Sequence, residues 1–216
     1  MSAAALALAS VATPHAGVTD ALASLAQRLQ RVTARVHTRG AGAFSGVGAG
    51  IVWPGSALVV TNAHVVGGRR GRWPIVELAD GRSFEARLAA RDQEQDLALL
   101  ALEHTDLPIE AATLGDARSM RVGEIVVAVG HPLGIAGAMS FGVVHAVRND
   151  DWVRADIRLA PGNSGGPLAT LDGSIVGINS MVVRGLGVAI AVHRVQAFVA
   201  DAIRDPHAVP PEDEEP

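Results

Sequence analysis

The sequence predicts an all-β fold of two small barrels packed together, with one helix at each end. Three observations point there. Short runs of Val, Ile, Leu and Ala recur along the chain, separated by Gly-, Pro-, Asn- and Asp-bearing turns, the pattern of closed antiparallel sheets. The 216 residues include 24 Gly, are 49% hydrophobic and only 3% aromatic, with no Tyr, so aliphatic side chains must fill the interior. Apolar residues at helical spacing occur only near the ends, at Leu22, Leu25, Ala26 and Leu29 and again at Val195, Phe198, Val199, Ala202 and Ile203.

In chain order, Met1 to Ala12 is an Ala-rich lead-in without a basic start, weak as a signal peptide and too short to span a membrane. Thr19 or Asp20 is placed to cap the first helix. Val32 to Val36 alternates as a first strand, and Ile51–Trp53 with Ala57–Thr61 reads as a hairpin closed at Pro54-Gly55-Ser56. Thr61 to Val66 reads as a buried strand end, and Arg69 to Arg72 as a solvated basic loop. Ile75–Leu78 and Ser83–Ala89 flank Asp80-Gly81, a hairpin signal, and Leu97 to Leu102 is an apolar strand. Thr105 to Gly115 reads as a connector between subdomains. Strands are then expected at 125–129, 139–147, 153–159, 175–179 and 187–192, and the Pro- and Glu-rich end as disordered. The expected organisation is a lead-in and helix over 1–31, barrel one over about 32–104, barrel two over about 120–192, a helix over about 193–204 and an acidic tail over 205–216.

Composition excludes several function classes. The formal charge of −4, with Glu212 to Glu215 acidic, offers no basic footprint for nucleic acid. No cysteine is present, which removes disulfides, a thiol nucleophile and cysteine-ligated metal. His15, His37, His104, His131, His145, His193 and His207 are scattered without metal-ligand spacing. No metal, no cofactor and no integral membrane segment are therefore expected.

The stretch Pro161-Gly162-Asn163-Ser164-Gly165-Gly166-Pro167-Leu168 sets a serine in a tight glycine turn. Such a turn exposes one hydroxyl while aiming the N–H groups of Gly162 and Ser164 into one space, with Asn163 shaping the loop. That arrangement stabilises the oxyanion formed when a serine attacks a carbonyl. A serine needs an adjacent base and the base an orienting acid. His64, before a glycine turn, is the candidate base. Asp96, leading into an apolar strand, is the candidate acid. They lie 32 residues apart, with Ser164 a further 68 residues on, so base and acid fall in the first half and the nucleophile in the second. The site would be the crevice between two barrels.

Thr61-Asn62-Ala63-His64-Val65-Val66, Asp96-Leu97-Ala98-Leu99-Leu100 and Gly162-Asn163-Ser164-Gly165-Gly166-Pro167-Leu168 resemble the three signature blocks of the trypsin-like serine proteases, in detail those of the HtrA (Deg) branch. Gly46 to Val52, Gly130-His131-Pro132-Leu133-Gly134, Asp156 and Gly177-Ile178-Asn179-Ser180 match the same family. The resemblance spans about Val32 to Ala202. It implies two six-stranded antiparallel barrels of chymotrypsin type and a bacterial or organellar quality-control endopeptidase. In it His64 is the base, Asp96 the orienting acid and Ser164 the nucleophile, with an oxyanion hole at Gly162, Asn163 and Ser164. Its substrates would be unfolded proteins or peptides. Their backbone would pair with the strand at Ser180, Met181 and Val182.

The resemblance builds the pocket for the residue before the scissile bond (P1) from the segment at Arg158, Leu159 and Ala160, the Ser180 strand and the strand near Gly187 and Val188. A buried Arg158 would favour an acidic P1 residue, an outward one a small aliphatic residue. The second is expected, because burying an unpaired guanidinium is costly. Ala160 departs from the family's common Asn. Family members usually carry a PDZ domain after the second helix, and none is expected here; only Gly67 to Trp73 follows His64 where relatives carry a longer loop. Met1 to Leu29 lacks the aromatics of the family's trimer-forming segment, so monomer and trimer both stay open. The compartment is periplasmic or secreted by resemblance, with the cytoplasm left open. The competing classes are a protease-like binding protein with a collapsed oxyanion hole and an esterase using the same three residues. An α/β-hydrolase fits poorly, since its G-x-S-x-G elbow and chain order differ.

Overall fold

The computed structural model describes residues 14–38, 47–55, 57–67, 74–103, 109–147 and 151–204. Helix α1 (Pro14–Arg31) is followed by β1 (Thr33–Thr38), β2 (Val47–Val52), β3 (Leu58–Thr61), α2 (Ala63–Val66), β4 (Pro74–Glu77), β5 (Ser83–Asp92) and β6 (Leu97–Leu102). The second half holds β7 (Ile125–Gly130), β8 (Ala138–Val147), β9 (Trp152–Asp156), β10 (Pro167–Thr170), β11 (Ile175–Val183), β12 (Leu186–Ala191) and α3 (Val192–Arg204). The first six strands close a barrel in the order β1-β2-β3-β6-β5-β4, the last six in the order β10-β11-β12-β9-β8-β7, and every pairing is antiparallel. This is the expected pair of six-stranded barrels.

Alternation along the strands divides the apolar residues into three cores. Val36, Val59, Val76 and Leu100 fill barrel one. Val126, Val144, Val153 and Leu168 fill barrel two. The third core joins the halves: Ile51, Val60, Leu97 and Leu99 of barrel one meet Val127, Val129, Ile175 and Ile190 of barrel two. Leu25 and Leu29 of α1 and Val195 and Val199 of α3 close this core. The helices thus seal the junction between barrels.

Several details differ from expectation. α1 begins at Pro14, five residues before Thr19, because proline fits the first helical turn, where its missing N–H costs nothing. Arg28 and Arg31 favour its C-terminal end, and the Thr33 hydroxyl donates to the Leu29 carbonyl at 2.7 Å. Helices are not confined to the ends: the strand expected through Val66 stops at Thr61, and Ala63–Val66 turns once as α2. β9 stops at Asp156 rather than Leu159, β11 runs on to Val183, and β10 is a strand that the glycine-rich reading hid. The lead-in, the basic loop at 69–72 and the acidic tail lie outside the described residues.

Candidate active site

The candidate acid is anchored first. Asp96 sits at φ +56°, a left-handed conformation that aspartate tolerates better than most residues. The Nδ2 of Asn62, itself fully buried, donates to the Asp96 carbonyl at 3.0 Å and fixes that turn. Its carboxylate receives three donors. The His64 backbone N–H reaches Oδ1 at 3.1 Å, the His64 Nδ1 lies 2.9 Å from both oxygens, and the Ser180 hydroxyl donates to Oδ2 at 2.7 Å. Burial opposes ionisation of Asp96, but the bonds from His64 and Ser180 outweigh it and hold the carboxyl below its ordinary value. An ionised Asp96 accepts the Nδ1 proton and leaves Nε2 of a half-exposed His64 as the free lone pair.

The loop that carries Ser164 is tied at both flanks. The Gly165 N–H donates to the Asn179 carbonyl and the Asn179 N–H to the Gly166 carbonyl, each at 2.8 Å, while Asn179 Nδ2 holds the Pro167 carbonyl at 2.8 Å. From barrel one, the Ala49 N–H donates to the Ser164 carbonyl at 2.8 Å. A Cβ on Gly165, at φ +85°, would strike the Ala49 carbonyl and the Thr61 hydroxyl, so only glycine fits there. The Ser164 hydroxyl donates to the Ser180 carbonyl at 3.1 Å. That carbonyl is free because the β11–β12 register shifts between Asn179 and Met181, a bulge centred on Ser180.

The peptide before Gly162 has a defined direction. The Pro161 carbonyl accepts from the Leu133 N–H at 3.3 Å, and the Gly162 carbonyl from the His131 N–H at 2.9 Å. The Pro161–Gly162 peptide is trans, so the Gly162 N–H points opposite the Pro161 carbonyl, away from its Leu133 donor. The Gly162 and Ser164 N–H groups donate to no backbone acceptor among the described residues, whereas the Asn163 N–H is spent on the Ala160 carbonyl at 2.9 Å. Two donors are therefore open, at Gly162 and Ser164, and Asn163 closes the turn between them.

A cleft of about 340 Å³ adjoins this group, lined by His64, Ser164, Leu159, Ala160, Pro161, Asn163, Asn179, Ser180, Met181 and Val182. Arg158 is exposed and Val188 buried, and neither lines it. Of the predicted residues, His64, Asp96 and Ser164 with Ser180 form one cluster, and Leu159, Ala160, Met181 and Val182 wall the cleft. The sequence reading placed Ser180 only among substrate contacts. Its bond to Asp96 depends on a bulge that no residue pattern announces.

The profile of the trypsin-like peptidase domain matches residues 48–178. The chain belongs to the trypsin-like peptidases. Within them its relatives lie in the HtrA branch. The "Serine protease HTRA2, mitochondrial" of Drosophila pseudoobscura pseudoobscura is 38% identical over 167 residues, 72% of this chain and 39% of that protein. The "Probable periplasmic serine endoprotease DegP-like" of Halomonas elongata is 35% identical over 176 residues, 76% of this chain and 36% of that protein. The chain therefore spans less than two fifths of these relatives' lengths.

Proposed function

We propose that this trypsin-like peptidase of the HtrA branch is a serine endopeptidase. The observation that carries the reading is Asp96 held at once by His64 and Ser180, beside a serine whose neighbouring N–H groups are open. In this reading His64 Nε2 takes the Ser164 proton as Oγ leaves the Ser180 carbonyl and attacks the peptide carbonyl. The Gly162 and Ser164 N–H groups receive the oxyanion; losing one such donor costs about 10²–10³ in kcat. His64 then hands the proton to the leaving amine, and water hydrolyses the acyl-enzyme by the same route. Asp96 orients the ring and stabilises its cation throughout.

The substrate would be an extended segment, as an unfolded protein supplies. β10 pairs with β11 only as far as Ile178, while β12 covers the opposite edge through Val183, so one edge of Met181–Val183 is open beside Ser164 for an incoming strand. With Arg158 outside and Leu159 and Val182 on the wall, the pocket suits a small aliphatic P1 residue. A fluorophosphonate probe should label the wild type and not Ser164→Ala, and peptides with Val or Ala at P1 should be cut faster than those with Asp or Glu. Preference for the acidic peptides would overturn the pocket assignment. The Ser164 bond to the Ser180 carbonyl favours a second reading, a binding protein with an idle serine, which absent Ser164-dependent labelling would support.

A further inference from the structure

The oxyanion loop leans on the loop at 131–137, of which His131 alone is buried. His131 and Leu133 supply the two N–H groups that hold the Gly162 and Pro161 carbonyls. On its far side the loop faces a cavity of about 370 Å³, walled by Gln27, Gln30, Arg31, Arg35 and Glu77. Two side-chain bonds reach the loop from that side. Gln30 of α1 donates through Nε2 to the Gly137 carbonyl at 2.7 Å, and Arg35 of β1 donates through Nη2 to the Gly134 carbonyl at 3.3 Å. The Gly137 N–H in turn donates to His131 Nδ1 at 3.2 Å, so the residue gripped by Gln30 also steadies the residue gripping Gly162.

We propose that Gln30 is a positioning residue for the oxyanion hole, acting from the barrel-sealing helix through Gly137 and His131. This rests on the endopeptidase reading. Three features single Gln30 out, two at the bond itself and one in the exposure of the loop. Its bond is shorter than that of Arg35, whose guanidinium is shared with Glu77 at 3.3 Å. Gly137 sits at φ +64°, and a Cβ there would come within 2.8 Å of Gln30 Cγ, so the loop is shaped around this side chain. Apart from buried His131, the loop's apolar side chains are out in solvent, Leu133 84% and Ile135 62% exposed, so little apolar contact would hold Gly137 if the bond were lost. The order of transmission is Gln30, Gly137, His131, Gly162, and each link is a single hydrogen bond.

Gln30→Glu keeps the size but replaces the donor with a carboxylate facing a carbonyl; Gln30→Met keeps the length with no donor. Both should lower kcat by about two- to tenfold, the worth of one side-chain hydrogen bond, with KM unchanged. Amide hydrogen exchange should quicken at residues 131–137 and 161–165 and stay at wild-type rates in barrel one. Unchanged kcat and exchange would overturn the proposal. So would exchange quickened evenly across both barrels, the mark of lost stability alone, or a rise in KM at constant kcat. Exchange reads the brace without any peptide cleavage. A wild type that cleaves nothing would therefore end the endopeptidase reading, while exchange still judged the coupling.

Discussion

Ser180 contributes to the site twice, by its hydroxyl on Asp96 and its carbonyl on the Ser164 hydroxyl. Only the first depends on the side chain, so Ser180→Ala separates the roles. Loss of one hydrogen bond to a charged group is worth about 1.5–3 kcal/mol, which bounds the expected fall in kcat/KM at roughly ten- to a hundredfold. Steady-state hydrolysis of a Val-P1 peptide measures it. Asp96 should also titrate higher in this variant, because one of its three donors is gone. The native carboxyl lies below its unfolded value, so its stabilisation is full above about pH 4 and lost as pH falls through the native value. Acid unfolding of Ser180→Ala should begin at higher pH than in the wild type.

At the scale of elements, α1 bears on both halves. Leu25 and Leu29 are each 2% exposed in the junction core, the Arg28 guanidinium reaches the Asp172 carbonyl, and Arg31 pairs with Glu110. The exposed Arg31–Glu110 pair is worth little, so the helix is held mainly by its two leucines. Leu29→Ala should cost about 2–5 kcal/mol by urea unfolding, for lost burial plus the cavity left behind. The same variant should disturb Gln30, one residue on, and lower kcat. The apolar stripe of α1 was legible because helical spacing is a local property. Its start was not, because the sequence offered Thr19 or Asp20 as the cap, while a proline fits a first helical turn and a break equally well. The twelve strands were largely legible for the same local reason. β10 escaped because Gly165, Gly166 and Pro167 dominate its approach, and pairing with β7 and β11 is a long-range fact. At the site, His64, Asp96 and Ser164 could be read from types and order. The Ser180 bulge and the Gln30 brace could not, since both arise where segments distant in sequence meet.

For the whole molecule, pH also acts through His131, 6% exposed against β1 at the start of the loop that holds Gly162. Burial, and then the Arg35 charge, keep its pKa below the ordinary histidine value, against smaller opposing effects of the Ala34 carbonyl and Glu77. The unfolded chain takes up this proton near pH 6.5 and the folded chain only at lower pH, so acidification below about 6.5 favours unfolding until the folded value is reached. Thermal midpoints measured from pH 7.5 downward should fall more steeply for the wild type than for His131→Asn; parallel curves would remove His131 as the cause. The junction core makes the barrels share this loss, and one cooperative transition is expected.

The bonds from Ala49 to Ser164 and from Ser180 to Asp96 each run from one barrel to the other. Parting the barrels, even with each still folded, would therefore separate Ser164 from His64. An extended segment released by one partly opened molecule could enter the cleft of an intact neighbour, but the opened molecule itself would have no assembled site. On the endopeptidase reading, such a chain would be prey without being predator, and self-digestion would depend on concentration rather than occur within a single molecule.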